Sequence, residues 1–106
     1  MQLLTSYKLG SIELKNRMVM APMTRSRSFS KGLATDLMAE YYAQRASAGL
    51  ILSEAINISA DAIGSPFTPG LYTAEQVESW KKVTDTVHKK GGVIFAQLWH
   101  TGRVAH

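Results

Sequence analysis

At 106 residues, with 45% hydrophobic and 19% charged residues, the chain carries enough apolar material for one small core and shows no sign of a second domain. The net charge of +4 is scattered, its tightest clusters being Lys81-Lys82 and Lys89-Lys90, so a solvated helix face is expected and no nucleic-acid partner. Without cysteine there is neither a disulfide framework nor a thiolate metal site.

The start, Met1 to Ser6, has no basic region followed by a long apolar one, and a cytoplasmic location is expected. Nor does any apolar run approach the roughly 18 residues of a membrane span. Tyr7-Lys8-Leu9 and Ile12-Glu13-Leu14 alternate around Gly10-Ser11 and predict a hairpin. Met18 to Met23 is apolar without alternation, which suits a strand buried on both faces and ending at Pro22, where a ladder donor is lost.

Arg25 to Gly32 reads as a serine-rich loop. Thr35 or Asp36 then caps a helix running through Leu37, Tyr41 and Ala48 to a stop at Gly49. Leu50 to Ala55 reads as a second buried strand, and residues 57–72 as a long loop punctuated by Gly64, Pro66, Pro69 and Gly70. Thr73 and Gln76 form a capping box for a helix with Val77, Trp80, Val83 or Thr84, and Val87 on its apolar stripe. That helix ends at Gly91-Gly92, and Val93 to Leu98 is the third strand. The order of hairpin, β, α, β, α, β demands a parallel sheet with right-handed crossovers. Pattern alone leaves open an arc of a barrel or a small doubly wound sheet.

The most informative residues follow the third strand: Gln97, Leu98, Trp99, His100, Thr101, Gly102 and Arg103. An amide, an indole and an imidazole there emerge where a buried strand meets solvent, and ligands bind at the carboxyl ends of parallel strands. No HExxH, Cys/His spacing or phosphate-binding glycine loop occurs, so no metal is expected.

Ala21-Pro22-Met23-Thr24-Arg25, Tyr41 to Ala46, Ser53-Glu54-Ala55, Pro69-Gly70 and Gln97 to Arg103 together resemble the Old Yellow Enzyme family, nearest its bacterial N-ethylmaleimide reductase and pentaerythritol tetranitrate reductase branch. The resemblance implies an α/β fold: the hairpin, strands one to three and two helices of a (β/α)8 TIM barrel. Residues 1–106 would be the amino-terminal segment of one FMN-binding barrel domain. The activity implied is that of an ene-reductase, which oxidises NAD(P)H and reduces activated alkenes (or nitro compounds) by hydride transfer from flavin N5. By carry-over, Pro22 and Met23 lie against the flavin ring, Thr24 bonds its O4 edge and borders the substrate, and Ala55 lines the pyrimidine side. Gln97 pairs with the pyrimidine edge, and Trp99 stands in the substrate pocket.

The residues themselves suit those roles. A glutamine amide complements both donor and acceptor atoms of a pyrimidine, a hydroxyl near O4 stabilises negative charge on reduced flavin, and a small residue admits a flat ring. Read singly, Gln97 and Thr24 would be loop-satisfying side chains, Trp99 core or interface, and His100 part of a structural loop. Trp80 is expected in the core and His88 on a helix surface.

Two departures limit the carry-over. Where related reductases often carry a substrate-facing tyrosine, this chain has Gly64-Ser65-Pro66-Phe67. The family's substrate-gripping His/His or His/Asn pair, tyrosine proton donor, flavin arginines and phosphate loops fall beyond residue 106, and a complete barrel takes roughly 250 residues. The catalytic residues are therefore expected outside this chain. The alternative is a non-catalytic fragment or assembly module that needs the rest of the barrel or self-association. A flavin-free barrel acting on phosphorylated sugars shares the architecture but gives Gln97, Thr24 and Ala55 no joint use.

Overall fold

The computed structural model describes residues 2–105; His106, to which no role is assigned, lies outside them. A hairpin of β1 (Tyr7–Leu9) and β2 (Ile12–Leu14) forms a small separate sheet in the expected register, Leu9 opposite Ile12. A second sheet has the order β3 (Val19–Met20), β4 (Leu50–Asn57), β5 (Ile94–Trp99), with both pairings parallel. Helices α1 (Asp36–Ala43) and α2 (Ala74–Lys89) are the two crossovers.

Both helix starts are capping boxes. The Thr35 hydroxyl accepts from the Met38 N–H at 3.2 Å, while the Thr35 N–H donates to the Met38 sulfur at 3.4 Å. At α2 the partners are Thr73 and Gln76, and the Gln76 carboxamide also accepts from the Tyr72 N–H and donates to the Lys31 carbonyl. Gly91, at φ +77°, lets α2 end in a double turn: its N–H reaches the His88 carbonyl and that of Gly92 the Val87 carbonyl.

The two helices cover one face of the second sheet. Met38, Tyr42, Ile51, Ile56, Trp80, Val83 and Val87 form the core there, with Met20 and Ile94 packed against it. Trp80 is thus a core residue, and His88 is exposed on α2 as expected.

Several expectations change. The Met18 to Met23 strand shrinks to Val19–Met20, and Val19 and Met23 are exposed rather than buried. Among the described residues only β4 pairs with β3, so its other edge is open, and Val19 borders a cavity it shares with the hairpin residues Tyr7, Leu9 and Leu14. Helix α1 stops at Ala43 and residues 44–47 continue in turns; Gly49 then passes against Asn16, where a Cβ would lie 2.1 Å from the Asn16 carbonyl oxygen. Val77 is exposed although it lies on the α2 stripe, on the rim of a cavity it shares with Ile56, Trp80, Ile94 and Ala96. The third strand also starts and ends one residue later than expected, at Ile94–Trp99.

Candidate functional site

The carboxyl ends of β3, β4 and β5 carry the candidate residues, and a bulge decides which of them share a face. In the β4–β5 ladder Leu52 stands opposite Phe95, yet the next pair is Ala55 with Gln97, so β4 holds one extra residue. Leu52 and Ala55, an odd step apart, therefore point the same way, because Phe95 and Gln97 are an even step apart. The core agrees independently: Ile51 and Ile56 both pack under the helices, which an unbroken strand would forbid. The Ser53 hydroxyl fills the gap in the ladder, accepting from the Gln97 N–H at 3.1 Å and donating to the Glu54 carbonyl at 2.8 Å.

The bulge aligns Ala55 and Asn57 with Gln97 and Trp99 on the face turned away from the helices. Ala55 is buried and Gln97 exposed, and among the described residues the Gln97 carboxamide bonds nothing within the chain. Thr24, in the loop after β3, is likewise exposed with an uncommitted hydroxyl, beside half-buried Pro22 and exposed Met23. Trp99 differs. Its indole Nε1–H donates to the Asn57 Oδ1 at 2.7 Å.

Behind this face, Glu54 is buried against Tyr42. The Tyr42 hydroxyl donates to the Glu54 Oε1 at 3.0 Å and accepts from the Glu54 N–H at 2.7 Å, while Oε2 has no partner. Burial raises the Glu54 carboxyl above its ordinary value, against the smaller opposing pull of Tyr42 and Arg25. Burial, and the adjacent Glu54 charge, push the Tyr42 phenol up in turn. Arg25, which follows Thr24, acts on the Glu54 carboxyl, and Glu54 directly precedes Ala55.

His100 is tied into its loop. Its Nδ1 accepts from the Gly102 N–H at 2.9 Å, and its Nε2 lies 3.7 Å from Asp61. The Ser59 hydroxyl, and then His100, hold the Asp61 carboxyl below its ordinary value. Among the described residues no cluster of three or more His, Asp or Glu side chains converges, and no helix is long and apolar enough to cross a membrane.

Asn57 and the Tyr42–Glu54 pair were not singled out by sequence reasoning. For Asn57 a signal existed: Ala55 and Asn57 repeat the two-residue spacing of Gln97 and Trp99. For the bulge, the signal is the polar pair Ser53-Glu54 inside a strand whose neighbours are apolar.

A hairpin, then parallel strands linked by helices on one face, with polar side chains at the strands' carboxyl ends, is the amino-terminal portion of an α/β barrel. The chain belongs to the NADH:flavin oxidoreductase / NADH oxidase family, whose sequence profile matches residues 2–106. It is 50% identical over 104 residues to 12-oxophytodienoate reductase 1 of Oryza sativa subsp. japonica, a match covering 97% of this chain and 27% of that protein. It superposes on the old yellow enzyme homologue of Zymomonas mobilis with a TM-score of 0.94 at 52% identity, covering 96% of this chain and 29% of that one. Morphinone reductase in complex with tetrahydroNAD gives a TM-score of 0.94 at 54% identity, covering 98% and 28%. The chain thus spans little more than a quarter of the length of the relatives it matches, and corresponds to the amino-terminal part of their TIM barrel.

Proposed function

We propose that residues 1–106 are the amino-terminal segment of one FMN-binding barrel domain and supply one wall of its flavin pocket. The observation that carries the reading is the bulge register, which sets small, buried Ala55 beside the uncommitted Gln97 carboxamide on the face turned away from the helices. A flat heterocycle fits that donor set: it needs a small neighbour for close approach and an amide able to both give and accept hydrogen bonds. Thr24 would add a hydroxyl donor at the O4 edge, and the backbone at Pro22 and Met23 an apolar rest for the ring. Trp99, with Thr24, would border the substrate.

FMN held there supplies hydride transfer from NAD(P)H to the β-carbon of a small activated alkene, or reduction of a nitro compound. This chain's own residues bind and orient. None of them is assigned a proton-transfer role, and the groups that grip and protonate the substrate would come from the rest of the barrel. The reading is tested by titrating a complete barrel containing this chain with FMN and following the flavin absorbance. A bound chromophore is expected, with affinity reduced about tenfold by Gln97→Leu through loss of paired hydrogen bonds; no bound flavin would overturn it.

A second reading, a non-catalytic assembly module, is favoured by the open edges of β3 and β5 and by exposed Val19, Phe95 and Leu98 along them. It concerns the chain by itself, which would self-associate or bind a complementary fragment. Light scattering on the isolated chain checks this, and a stable monomer would count against it.

A further inference from the structure

We propose that Asn57 is the positioning residue for Trp99 and thereby sets which alkenes fit the pocket. The inference rests on the reading of Trp99 as a substrate-bordering side chain. Asn57 is fully buried, and every polar atom of its side chain is engaged. Its Oδ1 accepts from the indole Nε1–H at 2.7 Å; its Nδ2 donates to the Thr68 Oγ1 and the Pro69 carbonyl, both at 3.0 Å. The amide orientation is unambiguous, because an indole N–H only donates and a proline carbonyl only accepts.

The backbone of Asn57 is pinned as well. Its N–H donates to the Pro69 carbonyl at 2.9 Å and its carbonyl accepts from the Leu71 N–H at 3.1 Å. The carboxamide is therefore a fixed acceptor rather than a mobile one. Thr68 in turn donates to the Ser65 carbonyl at 3.0 Å. One chain of hydrogen bonds thus runs from the indole through Asn57 and Thr68 to the loop carrying Ser65.

Trp80 provides the contrast. Its Nε1 is buried without a partner, and packing among Tyr42, Val83 and Val87 holds its ring. Trp99 has no such cage: it is half-buried, and Gln97 and Leu98 beside it are exposed. Without packing on all sides, the bond to Asn57 selects its ring orientation. An indole is large, so a change of that orientation redraws the pocket wall while leaving Ala55 and the Gln97 carboxamide where they are.

The test compares Asn57→Leu, Trp99→Phe and the double variant in a complete barrel containing this chain. Leucine keeps the branching and the heavy-atom count of asparagine, though it is bulkier, and neither accepts nor donates. Asn57→Leu is expected to speed solvent exchange of the Trp99 indole proton, and to raise KM for a bulky activated alkene about tenfold with kcat and flavin absorbance held. In the Trp99→Phe background, which has no N–H to hold, the same substitution should move KM by less than about twofold.

An equal KM rise in both backgrounds would overturn the proposal, since Asn57 would then act through its loop alone. So would an unchanged indole exchange rate. Should Asn57→Leu fail to fold, Asn57→Asp keeps the acceptor and must keep slow indole exchange; fast exchange there overturns the proposal too. If the unsubstituted barrel binds no flavin, the flavin reading falls by itself, and the indole exchange still decides for Asn57.

Discussion

The two faces of the β3–β4–β5 sheet are built to opposite rules. On the helix side, Ile51, Ile56, Val83 and Val87 are at most 1% exposed. On the other side Val19 is 53% and Phe95 39% exposed, and Gln97 stands free beside them. Apolar burial makes the first face the source of stability, at about 25 cal/mol per Å² removed from water. The second face is mixed: Leu50, Ala55 and Asn57 on the central strand are buried, while the flanking strands leave Val19 and Phe95 exposed. What it offers instead is side chains with unspent bonding capacity, and one, Trp99, whose bonding is spent on orientation.

The most direct way to break the comparison is to truncate one residue on each face. Ile51→Ala opens a cavity under α1 and α2 and should cost about 2–5 kcal/mol, read as a shift in the urea midpoint. A loss below about 1 kcal/mol would mean that the helix-side core is loosely packed and the contrast between faces false.

Glu54 sharpens the contrast through pH. Its carboxyl is raised in the folded chain above the ordinary 4.5, so the unfolded chain gives up its proton first as pH rises. Folding therefore loses stability from that ordinary value up through the raised folded one, and the loss persists above it. Glu54→Gln removes this dependence while keeping an acceptor for the Tyr42 hydroxyl. Its denaturation midpoint, compared with that of the parent, should gain as pH rises above the ordinary carboxyl value of 4.5, and then level off once the folded carboxyl has ionised. A difference independent of pH would show that the carboxyl is solvated.

Next in size is the cap of α2. Thr73→Ala strips the acceptor that holds the Gln76 N–H at 3.1 Å, and should cost about 1 kcal/mol by thermal or chemical denaturation. The Gln76 side chain continues to tie Tyr72 to Lys31, so the helix should remain and only its first turn fray.

These helix-side features were the legible ones. The Thr73 box, the Gly91 stop and the hairpin at Gly10-Ser11 are local, and short-range chemistry writes them into adjacent residues. The core position of Trp80 followed from helical spacing for the same reason. Residues whose environment depends on distant segments were harder. Met18 to Met23 carries the composition of a strand covered on both faces, but cover is supplied by neighbours, and a run of apolar residues does not say whether they are present. The candidate ligands Thr24, Ala55, Gln97 and Trp99 were legible only as members of an ordered set of motifs. Their common face was not, because it depends on a one-residue bulge at Ser53-Glu54 that reverses the alternation of β4. Asn57 was hidden behind the same bulge: counted along an unbroken strand from Ile51, it falls on the helix face.

The smallest expected effect is the most telling. Phe95 lies opposite Leu52 on the inner face, and it is large, aromatic and 39% exposed. In the isolated chain Phe95→Ser should change the unfolding free energy by less than about 0.5 kcal/mol, because the ring removes little apolar area from water there. The same substitution should weaken self-association, since it takes an aromatic anchor out of an open face. Calorimetry and light scattering on one sample separate the two quantities. Were Phe95→Ser to cost as much as Ile51→Ala, the inner face would already be packed within this chain, leaving Ala55 and Gln97 no space in which to receive a planar ring.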